Sequence, residues 1–175
     1  MADPYILGGT ALVVTVPAAE QILAEVRSRY DPAVAAGVPA HVTVLYPWLP
    51  QVQLNDETLA ELGTLCASLP GFDAELTAVD RFPGGVGWLA PEPAARFKAL
   101  TTAVWTRWPQ APPYQGEFDD PIPHLTIAQS QPDAVLDAVA EQLRPLLPIP
   151  FRVSALHLLA FDGIRWRERA RFELG

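Results

Sequence analysis

Two short stretches of the sequence have the residue types and spacing of acid–base chemistry: His41-Val42-Thr43-Val44 and His124-Leu125-Thr126-Ile127. Side chains in a β-strand alternate between faces. His41 and Thr43 therefore share one face and Val42 and Val44 the other, and His124 and Thr126 stand opposite Leu125 and Ile127 in the same way. Each stretch offers an imidazole and a hydroxyl to one surface and anchors itself through apolar side chains on the other. An imidazole titrates near neutral pH and takes up or gives a proton. The hydroxyl two residues on can hydrogen-bond a phosphate oxygen. Two such units around one phosphodiester supply a base, an acid and two ligands for the nonbridging oxygens. Opening a cyclic phosphate needs those parts: one histidine removes a proton from water, and the other protonates the leaving ribose oxygen. That chemistry requires no metal, and no carboxylate cluster in the sequence has an obvious metal-ligand spacing. Neither a metal nor a cofactor is expected.

A single His-x-Thr in a strand is weak evidence, because packing or exposure accounts for most strand histidines. Repetition gives it force: two copies stand about half a chain apart in a protein with three histidines. The third, His157, lacks the pattern. It alternates with Phe151, Val153, Ala155, Leu159 and Phe161 and reads as structural.

The elements that must position these residues follow from hydrophobic periodicity and turn signals. Residues 5–16 are rich in β-branched side chains and stop at Pro17, which predicts a strand. A helix is expected over 18–30 with Ile22, Leu23, Val26 and Tyr30 on one stripe, and a short strand over 40–46. Asn55-Asp56 starts a second helix, whose apolar positions are Leu59, Leu62, Cys66 and Leu69. Residues 72–82 and 86–90 read as a hairpin around Pro83-Gly84-Gly85. A third helix over 93–108 buries Phe97, Leu100, Val104 and Trp108. A proline-rich loop over 109–123 leads into strand 124–129. A fourth helix runs from Pro132 to about 144, and a hairpin of 150–161 and 164–173 turns at Asp162-Gly163. The order carries a faint duplication: each half contains a His-x-Thr strand, a helix and a hairpin.

These motifs and this order resemble the two-histidine (2H) phosphoesterase superfamily, in particular its bacterial 2′-5′ RNA ligase-like and cyclic phosphodiesterase group. Both four-residue stretches match the family's His-x-Thr/Ser-x pattern, and Gly87-Trp88-Leu89-Ala90-Pro91 before a helix looks like the family's entry to its second lobe. The resemblance implies an α+β, bilobal fold: two pseudo-symmetric lobes of antiparallel sheet, helices packed outside, and a central cleft. It implies one domain over 1–175, its lobes interleaved, with approximate halves 1–90 and 91–175. It also implies that His41 and His124 are the acid–base pair and that Thr43 and Thr126 bind phosphate. The expected activity is hydrolysis of 2′,3′-cyclic or 2′-5′-linked nucleotide or RNA-end phosphodiesters. The alternatives are a 2′-5′ RNA ligase and a noncatalytic nucleotide or RNA-end binding protein with the same cleft. Some RNA-ligase-like members carry an arginine just after the second motif, where this chain has Ala128-Gln129. They also tend to be more basic.

Further candidates flank the motifs. Trp48, past Pro47, has the chemistry to stack on a base, with packing as the competing reading. Tyr46 falls on the face opposite His41 if the strand stays regular. Tyr114 lies in the loop before His124, a segment placed to act as a lid, and Asp119 and Asp120 fit a turn ahead of Pro121. Arg165 and Arg167 alternate near the chain's end, either facing substrate or paired with acidic neighbours in solvent.

Composition bounds the partners. About half of the 175 residues are apolar and 18% are charged, enough for a packed core. The formal charge of −8 argues against duplex DNA or long RNA, which need a basic surface, and leaves room for one small phosphate ligand. A lone Cys66 excludes an intrachain disulfide. No apolar run reaches the roughly 20 residues of a membrane span, and the first residues lack a basic leader pattern. A cytoplasmic monomer acting on a small nucleotide or RNA-end substrate is expected.

Overall fold

The structure, a computed structural model, describes residues 5–175; residues 1–4, where the absence of a basic leader was read, lie outside the described residues. In chain order the elements are β1 (Thr10–Thr15), α1 (Pro17–Tyr30), β2 (His41–Leu45), α2 (Asp56–Ser68), β3 (Phe72–Phe82) and β4 (Val86–Glu92). They continue with α3 (Ala94–Arg107), β5 (Leu125–Ala128), α4 (Asp133–Leu143), β6 (Ile149–Val153), β7 (Ala155–Phe161) and β8 (Trp166–Glu173). The strands form two antiparallel four-stranded sheets, ordered β2-β1-β7-β8 and β5-β4-β3-β6. This is the expected α+β architecture.

The sheets do not follow the two halves of the chain. The first takes its strands from both ends, and the second takes β3 to β6 from the middle. The segment read as one strand over 150–161 is two: β6 pairs with β3, the chain crosses over at Ser154, and β7 pairs with β1. Hydrophobic alternation runs straight through this crossover, so the sequence carries no sign of it. The first strand begins at Thr10 rather than at residue 5, because Gly8 takes a left-handed φ of 77° and Gly9 N–H donates to the Ile6 carbonyl.

The pseudo-symmetry lies in the sheet order. Each sheet has its histidine strand at one edge, and these edge strands, β2 and β5, lie against each other. The back faces of the strands share one core: Val42 on β2, Leu125 and Ile127 on β5, and Leu12, Leu156 and Leu158 are all fully buried there. Burying one such side chain contributes about 1.5–3 kcal/mol.

The helices close the same core. Phe97, Leu100 and Val104 of α3 are buried as expected, and Cys66 of α2 packs beside Leu62. The buried stripe of α1 differs from expectation. It is Ala19, Leu23, Val26 and Arg27, while Ile22 is exposed. The helix is rotated so that an arginine, rather than an isoleucine, faces inward.

The β3–β4 turn is tied to the chain that follows β5. Gly84 and Gly85 have φ of 86° and 79°, and the Gly85 carbonyl accepts from Gln131 N–H just after β5. A Cβ on Gly85 would meet the Gln131 carbonyl oxygen. Gly85→Ala is expected to lose about 1–3 kcal/mol of stability from left-handed backbone alone, read as a lowered urea midpoint. Gly84→Ala, which meets no neighbour, should lose less.

Candidate functional site

The pleat does what the motif spacing predicts. Along β2 the exposure pattern alternates, with His41 and Thr43 partly open and Val42 and Val44 buried. Around β5, His124 and Thr126 are partly open, with Leu125 and Ile127 buried. His41, Thr43, His124 and Thr126 line one cleft of about 380 Å³, with Tyr46, Tyr114, Asp31, Gln129 and Trp166 among its other walls. A larger hollow of about 620 Å³ opens between Asp73 and Arg152, but it brings together Glu75 and Glu92 rather than paired histidines.

Both imidazoles are held the same way. His41 Nδ1 lies 2.7 Å from the Pro39 carbonyl, and His124 Nδ1 lies 2.7 Å from the Ile122 carbonyl. A carbonyl only accepts, so each Nδ1 carries the proton and each neutral ring leaves Nε2 free as an acceptor. His124 also stands edge-on to Phe82, with ring centres 5.0 Å apart, and Phe82 in turn stacks on Trp88. Burial in the cleft pushes His41 down to about 4. The bond to Pro39 and the Asp31 charge oppose that fall, while the Arg27 charge and the neighbouring His124 add to it. His124 is lowered too, by burial first, against the bond to Ile122. Both rings are therefore neutral at pH 7 in the unliganded protein.

Beneath His41 lies a buried ion pair that sequence periodicity misses. The Arg27 and Asp31 side chains are 4% and 1% exposed. Arg27 Nε and Nη2 donate to Asp31 Oδ2, each at 3.1 Å, and Nη2 also donates to the Val38 carbonyl. Asp31 Oδ1 accepts from Ala33 N–H and from Gln129 Nε2 at 2.9 Å. Gln129 follows the second motif, so this bond ties the end of β5 to the loop that leads into His41. The available signal was the i,i+4 spacing of Arg27 and Asp31 on a helix end, which by itself reads as a surface pair.

Tyr114, a candidate from sequence, is in the cleft. Its hydroxyl shares a hydrogen bond with Thr43, and burial raises its pKa. Tyr114 and Gln115 adopt left-handed φ of 50° and 57°, and the Tyr114 N–H donates to the Tyr46 carbonyl. Loop 109–123 thus contributes a wall to the site. Tyr46 also lines the cleft, contrary to the regular-strand expectation. A bulge between Leu12 and Val13 pairs Leu12 with Leu45 and Val13 with Thr43, so the alternation breaks before Tyr46.

The remaining candidates lie elsewhere. Trp48 is 3% exposed and packs edge-on against Trp108, so it belongs to the core and offers no face for base stacking. Arg165 and Arg167 are exposed and do not line the cleft. Arg167 Nε donates to Asp162 at 2.7 Å, and Asp162 also accepts from the N–H groups of Ile164 and Arg165. These bonds, the Arg165 N–H first, pull Asp162 down to about 2. The Arg167 side chain is consumed by the β7–β8 turn, and Arg165 serves that turn through its backbone N–H. Asp120 pairs with Lys98, and Asp119 is exposed. Among the described residues no group of three or more His, Cys, Asp or Glu is placed to hold a metal ion, and no helix is long and apolar enough to cross a membrane.

Removing one partner of a buried pair leaves an uncompensated charge. Asp31→Ala is expected to cost about 3–5 kcal/mol in urea unfolding, far more than removing the exposed Asp73 of the Arg152 pair. His41 gives a pH signature. The unfolded chain binds its proton near the ordinary value of 6.5 and the folded one near 4, so the unfolded state holds more protons between those values. Stability from this group is complete above pH 6.5 and is lost as pH falls towards 4. The loss is about 3 kcal/mol at most. Denaturation curves at pH 7.5 and 5 should show a larger drop for the parent protein than for His41→Gln, and equal drops would contradict the assigned environment.

Comparison with known proteins gives the site its family. The chain matches the family model of the 2′-5′ RNA ligase superfamily over residues 15–165, a span that contains both motifs. No curated protein matches it significantly. Among solved structures, Escherichia coli LigT complexed with 3′-AMP superposes with a TM-score of 0.63 at 18% identity, covering 95% of this chain and 98% of that one. LigT complexed with NADP+ gives 0.62 at 19% identity, covering 97% and 99%. TT0787 of Thermus thermophilus gives 0.59 at 18% identity, covering 95% and 97%. At these identities the structures share the fold with this chain, and it is the family model that decides membership: the chain belongs to the 2′-5′ RNA ligase superfamily.

Proposed function

We propose that the protein is a phosphodiesterase that hydrolyses 2′,3′-cyclic or 2′-5′-linked phosphodiesters of small nucleotides or RNA ends by His/His general acid–base catalysis. The observation that carries this reading is the matched locking of the two imidazoles. Each donates Nδ1–H to the carbonyl two residues before it, leaving Nε2 of both rings for one cleft. The substrate phosphate lies between them, with Thr43 and Thr126 hydroxyls donating to its nonbridging oxygens. One Nε2 takes a proton from water as the water oxygen bonds to phosphorus. The protonated Nε2 of the other ring gives its proton to the ribose oxygen as its bond to phosphorus breaks. A hydrogen phosphomonoester and a free hydroxyl result, and the proton count is restored by exchange with solvent.

Burial, more than any neighbouring charge, weighs against a cation on His41, which favours His41 as base and His124 as acid. The anionic substrate supplies the charge that keeps the acid protonated. Two imidazoles and two hydroxyls from one chain supply the parts the reaction needs, so the proposed enzyme works as a monomer without a cofactor. The superfamily's name and the small nucleotides in the LigT complexes support a small nucleotide substrate. With a sugar hydroxyl in place of water, the same groups serve the joining of ends. In dilute aqueous solution hydrolysis prevails.

His41→Ala and His124→Ala should each lower kcat for a 2′,3′-cyclic nucleotide by about 10²–10⁴-fold, with an unchanged circular dichroism spectrum. Full activity in both variants would sink the proposal. Thr43→Val and Thr126→Val should act mainly on KM, raising it by about tenfold. Burial lowers His124 below its ordinary value, so in the free enzyme the acid is losing its proton by neutral pH while the base is already neutral. The kcat/KM is therefore expected to fall as pH rises through neutrality, by about tenfold per unit on the alkaline limb, and a rise with pH would assign the chemistry to other groups.

A further inference from the structure

A second polar constellation lies on the same sheet face as His41. His157 Nδ1–H donates to Glu168 Oε2 at 2.7 Å, and His157 Nε2 is 3.1 Å from the Thr15 hydroxyl. The ring is mostly covered, with 15% of its side chain exposed. This histidine, read from sequence as structural, is held by polar partners. It is a fixed polar group between a hydroxyl and a carboxylate.

A pocket of about 210 Å³ opens beside it, and the polar residues lining it are Thr15, Ser154, His157, Arg152 and Arg171. Among the described residues no carboxylate lines this pocket, although the chain carries a formal charge of −8. Two arginines, a serine and a threonine line the pocket, the threonine hydroxyl also bonded to His157. Arg152 and Arg171 also pair with Asp73 and Glu173, but both pairs are solvent-exposed, and such pairs hold weakly and exchange readily for a better anion. A guanidinium's fork of N–H donors matches phosphate oxygens. Ser154 stands where β6 crosses over to β7, so arginines from both sheets reach the same space.

The register relates this pocket to the cleft. Thr15 is the cross-strand partner of His41, and Val13 is the partner of both Thr43 and His157. Cross-strand partners share a face, so His41, Thr15 and His157 do too. β7 lies two strands from β2, roughly 10 Å at a spacing of about 4.8 Å. We propose that the Thr15–Ser154–His157–Arg152–Arg171 pocket binds a phosphate group, and that it receives either a second phosphate of the substrate or free phosphate. The substrate form rests on the proposed phosphodiesterase reading. It names nucleotides with a phosphate beyond the scissile one as the better substrates.

The test titrates inorganic phosphate into the protein while following the ring resonances of the three histidines at fixed pH. His157 should shift saturably, and the shift should vanish in an Arg152→Ala/Arg171→Ala variant while the responses of His41 and His124 persist. An unmoved His157 at phosphate levels that saturate the cleft overturns the pocket. A response at His157 with none at His41 or His124 keeps the pocket and counts against the phosphodiesterase cleft. The source follows from KM for a nucleoside 2′,3′-cyclic phosphate with and without a 5′-phosphate. A substrate phosphate in the pocket predicts that the double variant raises KM about tenfold for the 5′-phosphorylated compound alone. Equal effects on both compounds overturn the substrate source and leave free phosphate as the ligand.

Discussion

The site depends on the pleat of two edge strands laid against each other. Because successive side chains point to opposite faces, Val42, Leu125 and Ile127 can be fully buried while His41, Thr43 and Thr126 stay open to the cleft. The apolar half of each motif supplies burial energy, and the polar half inherits a fixed direction from it. A one-residue slip in either strand would turn the histidine into the core. Core packing and site geometry are thus one constraint, set by two runs of four residues.

Direction alone does not fix a ring. The Nδ1–H bonds to Pro39 and Ile122 do that, and they also choose the tautomer. Behind them, Arg27, Asp31 and Gln129 join the loop before His41 to the chain after β5. An exposed tie of this kind would be weak. This one is buried and hydrogen-bonded on both sides, so opening it strands a charge. The network makes the separation between the two motifs part of the folded state.

Electrostatics follow from the same burial. The chain is acidic overall, yet the cleft's two histidine rings are held neutral, and the carboxylate in its wall, Asp31, is spent on Arg27 and Gln129. A negative protein can therefore present a site compatible with a phosphate, because local donors rather than net charge decide the contact. The Thr15–His157–Glu168 array repeats this on the neighbouring strands, with arginines added.

Much of this was legible in the sequence. Period-two alternation gave the motif strands and their faces, helical periodicity gave α2, α3 and α4, and two copies of His-x-Thr pointed to one shared site. What stayed hidden were the features that depend on distant partners. The bulge that swings Tyr46 into the cleft exists only in the pairing of β1 with β2. The crossover at Ser154 interrupts no hydrophobic pattern. The rotation of α1 that buries Arg27 is favourable only because Asp31, Val38 and Gln129 wait for it. Trp48 became core because Trp108 was there to receive it, and Arg167 became a turn residue because Asp162 was. By itself the sequence determined which side chains each strand could present together, since alternation is a local property of the backbone. Only the tertiary structure decided which of those faces met, because meeting is settled by the core and hydrogen bonds that bring β2 and β5 side by side.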